Sequence, residues 1–187
     1  MILCIGALAI STAVNYLIVY MPTYVVKTLK FPPTVGYAAT LAGALVVTFL
    51  TPIAGVISDK VGRTTHMIAV NLLLLLLIVP VFLLLTKNPT PMVIVIGVFW
   101  LAALKSLYVG ALPALMSELL PAATRATGLG LSYNIGVTLF GGMGPVFMTW
   151  LGGIAFIGDL APAYYLTFVG FVSLYSLITI RRTAANM

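Results

Sequence analysis

The chain has 187 residues, of which 62% are hydrophobic and 6% charged, against about 25% charged in an ordinary soluble domain. Nine Lys and Arg against three Asp and Glu give a net charge of +6. So few charges cannot solvate a soluble surface, and cations scattered between apolar segments set membrane topology rather than form a nucleic-acid face.

In chain order, six apolar segments are predicted to cross a bilayer, near 2–25, 34–57, 67–86, 91–117, 127–151 and 163–180. They are near-continuous apolar runs without strict alternation, so they read as helices, and the fold class is an all-α polytopic membrane bundle. The first run is too long for a signal peptide and lacks its positive lead. It starts at the very edge of the chain, an odd start for a complete membrane protein. Cys4 is the single cysteine, so no disulfide forms within the chain. The hydrophilic breaks hold Lys27 and Lys30; Asp59, Lys60 and Arg63; Lys87; Glu118 and Arg125; and Asp159. A tail follows with Arg181 and Arg182. The second and fourth breaks and the tail carry five cations against three on the other side, which puts both termini in the cytoplasm. Pro22, Pro52, Pro80, Pro113 and Pro145 fall within spans, and each invites a kink.

Lys105 stands alone near the centre of the apolar stretch from Pro91 to Met116. A charge at mid-depth costs at least about 2.5 kcal/mol on insertion scales, so it faces protein, water or a ligand rather than lipid. It serves a substrate or coupling ion, or it pairs structurally across helices. His66, the lone histidine, is expected to be solvated at the interface.

Two breaks carry charge patterns that a helix alone disfavours. In Gly55-Val56-Ile57-Ser58-Asp59-Lys60-Val61-Gly62-Arg63, an acid meets the negative end of a helix dipole and needs a nearby cation, while Gly62 permits a tight reversal. In the stretch from Ser117 to Gly128, Pro121 stops one helix and Arg125 opens the next with the wrong sign for the dipole. Arg125 is therefore expected to pair with Glu118 or Asp59 in one network joining two helix pairs. An ordinary charged turn is the alternative for the first string.

The Gly55…Asp59…Gly62-Arg63 string resembles the signature loop of the major facilitator superfamily, and Glu118…Pro121…Arg125…Gly128 resembles that family's later cytoplasmic loop. Asn15-Tyr16 with Tyr20-Met21-Pro22-Thr23-Tyr24, Phe140-Gly141-Gly142 before Pro145, and Pro162-Ala163-Tyr164-Tyr165-Leu166 are similar to its metabolite:proton symporter branch. That branch includes proline/betaine, shikimate, α-ketoglutarate and citrate carriers. The resemblance covers the whole chain and implies a C-terminal six-helix half, whose partner is a missing N-terminal half or a second copy. One departure is Thr64-Thr65, where the family carries a further basic residue. The resemblance implies a cytoplasmic gating role for Asp59 and Arg63, and a bacterial inner-membrane location.

By the same resemblance, the first, second, fourth and fifth helices face a central cavity. Lys105 then lies with Tyr108 on the fourth helix, one turn apart. Asn134 and Thr138 form a pair one turn apart on the fifth. Ser11, Thr12 and Asn15 form a stripe on the first, with Tyr16 and Tyr20 beside it. Polar groups converging on one cation suit an organic carboxylate such as a citrate-like di- or tricarboxylate. A zwitterionic osmolyte such as proline or betaine is the alternative substrate, and a non-transporting truncated module is the alternative function. The asparagines also suit interhelical hydrogen bonding, the tyrosines packing, and the glycines of the fifth span close helix contact. The resemblance implies proton coupling, yet all three acids lie at helix ends. The proton carrier is then in another half, or Lys105 itself takes and releases the proton. There is no metal-ligand cluster, no nucleotide loop and no hydrolase motif, so an enzyme and a cofactor are not expected.

Overall fold

The computed structural model describes residues 1–154 and 158–185. Eight α-helices account for nearly all of it: α1 Ile2–Lys27, α2 Pro33–Val61, α3 Arg63–Lys87, α4 Pro91–Val109, α5 Leu112–Glu118, α6 Arg125–Gly136, α7 Gly144–Gly152 and α8 Ala161–Ala185. Among the described residues there is no strand. Six helical stretches are long and apolar enough to cross a membrane. Helices α4 and α5 together make the fourth, and α6 and α7 the fifth. The fold class expected from composition and run length is the one observed.

The prolines divide into two groups. Pro33, Pro91, Pro113 and Pro145 sit in the first turn of α2, α4, α5 and α7, where a missing N–H costs nothing. Pro22, Pro52 and Pro80 lie inside continuous helices. The fourth span is therefore broken at Gly110–Ala111, just before Pro113. The fifth is interrupted by a wide helical turn, Val137–Gly142, just before Pro145. Thr90 caps α4 by accepting from the Val93 amide at 3.2 Å.

The loop between α2 and α3 is one residue long. Gly62 has φ +94°, a region side-chain-bearing residues rarely adopt, and it reverses the chain there. The helices on either side run through residues expected to lie in a polar break. Charged residues at the ends keep their backbone helical while their heads reach water.

Helix α1 occupies the middle of the bundle. It packs against α2, α4, α8 and the α6–α7 span, and 67% of its most apolar stretch is buried. Helix α3 packs chiefly on α8 and α4. Helix α2 packs on α4 and α1 but leaves Tyr37, Leu41, Leu45, Phe49 and Ile53 exposed along its outer face. Close backbone approach fixes its contact with the fourth span: a Cβ on Gly110 would lie 2.6 Å from the Gly55 nitrogen and 2.8 Å from the Ala54 Cβ. In the glycine-rich fifth span, Gly136 and Gly141 sit against Leu8 and the Tyr16 ring, so two of its glycines serve close packing on α1.

Candidate functional site

Lys105 lies midway along the fourth span, and only 7% of it is exposed. Its ammonium donates to the Asn15 Oδ1 at 2.6 Å, from α4 to α1. This is a charge-assisted hydrogen bond, worth about 1.5–3 kcal/mol. The lysine therefore faces protein, not lipid.

The Lys105–Asn15 pair forms part of the wall of a cavity of about 350 Å³ between α1, the α4–α5 break and α6. Its polar lining is Ser11, Thr12, Asn15, Tyr16, Lys105 and Tyr133, and Leu8, Val109, Leu112, Pro113 and Val137 complete it. The lining holds one cation and no acid. Asn15 spends its carbonyl on Lys105, which leaves its amide N–H groups as donors. A carboxylate entering here meets an ammonium and a carboxamide side by side, the donor set an anion needs. Among the described residues, no three His, Cys, Asp or Glu side chains gather as a metal site.

The structure brings Lys105, Asn15 and Tyr16 together and leaves three other sequence candidates outside the cavity. Tyr108 is fully buried and donates to the Ala7 carbonyl at 2.7 Å, tying α4 to α1 within the core. Asn134 is exposed and donates to its own helix, at the Gly130 carbonyl, 2.8 Å. Thr138 is exposed in the wide turn. Sequence reading missed Tyr133. The buried small residues Gly128, Ser132 and Gly136 mark the face of α6 that packs inward. Tyr133 and Val137 each follow that stripe by about 100°, whereas Asn134 lies about 200° past Ser132 and points away. The small-residue stripe is the signal that finds Tyr133. Farther along α1, Tyr20 shares a hydrogen bond of 3.2 Å with Thr149 of α7, and Tyr24 donates to the Asp159 carbonyl at 2.7 Å.

The charged network gathers at the Gly62 end. Arg63 donates from Nε to Asp59 Oδ1 at 3.0 Å, and from a second nitrogen to the same oxygen at 2.9 Å. Its remaining arm is ion-paired with Glu118 at the end of α5. One guanidinium thus links α2, α3 and α5. The expectation that Arg125 pairs with an acid is corrected: among the described residues both candidate acids pair with Arg63, and Arg125 is exposed at the start of α6. Arg63 won because its fork reaches both carboxylates from a single-residue turn. Gly55 and Gly62 serve geometry, the first by the backbone approach to Gly110 and the second by its positive φ. His66, expected to be solvated, is 8% exposed, and its Nε2 donates to the Leu107 carbonyl at 2.9 Å. The break after Val109 disturbs the helical pairing of that turn, and the imidazole supplies Leu107 with a donor.

A six-span helical bundle with a lone, hydrogen-bonded lysine in a polar mid-depth cavity defines a membrane protein of the transporter class. The sequence pattern of the Major Facilitator Superfamily matches residues 3–185, and the chain belongs to that family, one of transporters rather than enzymes. It is 32% identical to the citrate-proton symporter of Klebsiella pneumoniae over 95% of this chain and 40% of that protein. It is 30% identical to the proline/betaine transporter of Salmonella typhimurium over 97% of this chain and 36% of that protein. It is 32% identical to the ectoine/proline transporter of Corynebacterium glutamicum over 91% of this chain and 33% of that protein. The chain thus spans two fifths or less of the length of these relatives. No solved structure matches it.

Proposed function

We propose that this chain is the C-terminal half of a proton-coupled secondary carrier, and that its substrate is a small organic carboxylate of the citrate type. The observation that carries this reading is the Lys105 ammonium, buried at mid-span, paired with Asn15 and bordering a cavity with no compensating acid. The likeness to a citrate-proton symporter supports the same substrate class. Asn15 and Tyr133 in the cavity wall are exposed, so a second six-helix half, or a second copy, completes the chamber. Carriers of this kind bind substrate at the midplane between repeats. The Asp59–Arg63–Glu118 network lies at the cytoplasmic mouth and breaks when that side opens. Both termini are then cytoplasmic, in a bacterial inner membrane. Protons are carried by groups of the other half, or by Lys105 itself.

The likeness to proline/betaine transporters favours a second reading, a zwitterionic osmolyte. Its carboxylate takes the same Lys105–Asn15 corner, and its cationic end faces the rings of Tyr16 and Tyr133. Uptake of labelled citrate and labelled betaine by cells expressing the chain together with a complementary half separates the two. Lys105→Gln keeps the length and removes the charge. It is expected to weaken uptake of the true substrate by roughly 10- to 100-fold at unchanged expression, the equivalent of one charged hydrogen bond. Uptake equal to that of the unaltered chain would remove the anion site.

A further inference from the structure

Ser173 of α8 is fully buried, and its hydroxyl sits against the backbone of α1. It donates to the Gly6 carbonyl at 2.8 Å and accepts from the Ile10 amide at 2.9 Å. These two groups are the ones an α-helix pairs with each other. The hydroxyl thus touches both partners of one backbone pair while α1 stays helical from Ile2 to Lys27, and a side chain inserted into such a pair is a known cause of helix bending. Gly6 lets α8 come this near, because a Cβ there would collide with Ser176. On the next residue, the Ala7 carbonyl takes the Tyr108 hydroxyl, which anchors this turn to the helix that carries Lys105. Immediately beyond, Thr12 donates back to the Ala9 carbonyl at 2.9 Å, a bond that also favours bending.

Every α1 residue that lines the Lys105 cavity except Leu8 follows this turn: Ser11, Thr12, Asn15 and Tyr16. We propose that Ser173 holds the Gly6–Ile10 turn open as a hinge, about which the cavity-lining part of α1 tilts while Tyr108 keeps the hinge fixed to α4. Ser173 is then a positioning residue: it never meets the substrate, and it sets where Asn15 stands against Lys105. The inference extends the carrier reading of that cavity, yet its test does not depend on transport.

Amide hydrogen exchange on the purified chain in lipid nanodiscs tests it. Ile10, Val14 and Leu17 are equally buried in α1. With a hinge at Ile10, its amide exchanges faster than those of Val14 and Leu17 in the unaltered chain. Ser173→Ala lets Gly6 and Ile10 pair directly, so exchange at Ile10 slows by roughly three- to tenfold, one recovered hydrogen bond. Ser173→Thr keeps the hydroxyl and retains the fast exchange. A hydroxyl that merely glued α8 to α1 gives the opposite sign: Ser173→Ala would loosen the contact and speed exchange, and that result overturns the hinge. Should Ser173→Ala not fold, the unaltered chain decides alone, since an Ile10 amide as slow as Val14 and Leu17 also overturns it. Absence of carboxylate uptake would sink the carrier reading and leave the exchange comparison standing.

Discussion

Asn15→Ala is the perturbation that most directly probes the buried lysine. In the structure the ammonium makes one side-chain hydrogen bond, to Asn15 at 2.6 Å, in a site 7% exposed. Removing the acceptor leaves a desolvated cation with a lost charged bond, a cost of about 1.5–3 kcal/mol. In a Lys105→Met background the acceptor has no cation to serve, and the same Asn15→Ala change is expected to cost less than about 0.5 kcal/mol. Lys105→Met alone is expected to be neutral or stabilising, because it removes a mid-depth charge that costs at least about 2.5 kcal/mol. The double-mutant cycle therefore yields a coupling of about 1.5–3 kcal/mol. For a domain of this size 1 kcal/mol moves the melting temperature by about 2–4 °C, so Asn15→Ala should lower it by about 3–12 °C in detergent micelles. An equal drop in both backgrounds would refute the pairing as a determinant of the site.

Three further outcomes follow from the packing and the charges. Gly110→Ala places a Cβ 2.6 Å from the Gly55 nitrogen and should cost about 1–3 kcal/mol by overpacking, while Gly130→Ala, with nothing within 4 Å, should stabilise by up to about 1 kcal/mol; thermal unfolding of the pair checks both. Arg63→Ala removes half-exposed ion pairs and should lower stability by about 1 kcal/mol or less at low salt, with the difference from the unaltered chain vanishing in about 1 M NaCl. Tyr133→Ala should reduce uptake of the substrate several-fold, whereas Asn134→Ala should leave it unchanged, because only the first side chain lines the cavity.

The six apolar runs were legible because a bilayer demands about 20 apolar residues per helix, and 62% hydrophobic composition supplies them. The lysine was legible for the same reason: a lone cation at mid-depth stands out against lipid. Its partner was less so. Asn15 was one of several polar residues on α1, and only the crossing of α1 and α4 chose it. Tyr108 illustrates the limit of helical spacing. It sits one turn from Lys105, yet its ring turns into the core, since its hydroxyl finds the Ala7 carbonyl there. Spacing fixes which residues share a side of a helix, not what that side meets. The Arg125 expectation failed for a related reason. Dipole arguments identify a mismatched charge, but distance and fork geometry decide which cation takes the acids. His66 looked interfacial because it follows a charged turn, and burial came from a break in another helix that left the Leu107 carbonyl in need of a donor.

Among the described residues, most side-chain hydrogen bonds between helices within the bundle converge on one helix, the exceptions, apart from the Arg63 network, being His66 to Leu107, Asn71 to Gly170 and Tyr165 to Phe140. Helix α1 receives Lys105 and Tyr108 from α4, Ser173 from α8 and the Thr40 hydroxyl at the Ile18 carbonyl from α2, and its own Tyr20 and Tyr24 reach α7 and Asp159. Lipid gives apolar side chains little reason to prefer protein over acyl chains, so association inside a bilayer leans on close packing and on hydrogen bonds of about 0.6–2 kcal/mol each. A helix tied by these six bonds is held in rotation and depth far more tightly than one held by packing alone. Helix α2 is the contrast: small residues set its approach at Gly43 and Gly55, and among the described residues one side-chain hydrogen bond joins it to another helix within the membrane. Motion of the bundle should therefore concentrate at α2, at the broken fourth and fifth spans, and within α1 at the proposed Gly6–Ile10 hinge, the rest of that helix staying tied to its neighbours. The Arg63 network joins α2, α3 and α5 at the one end where those less constrained elements meet, which is where a gate has to act.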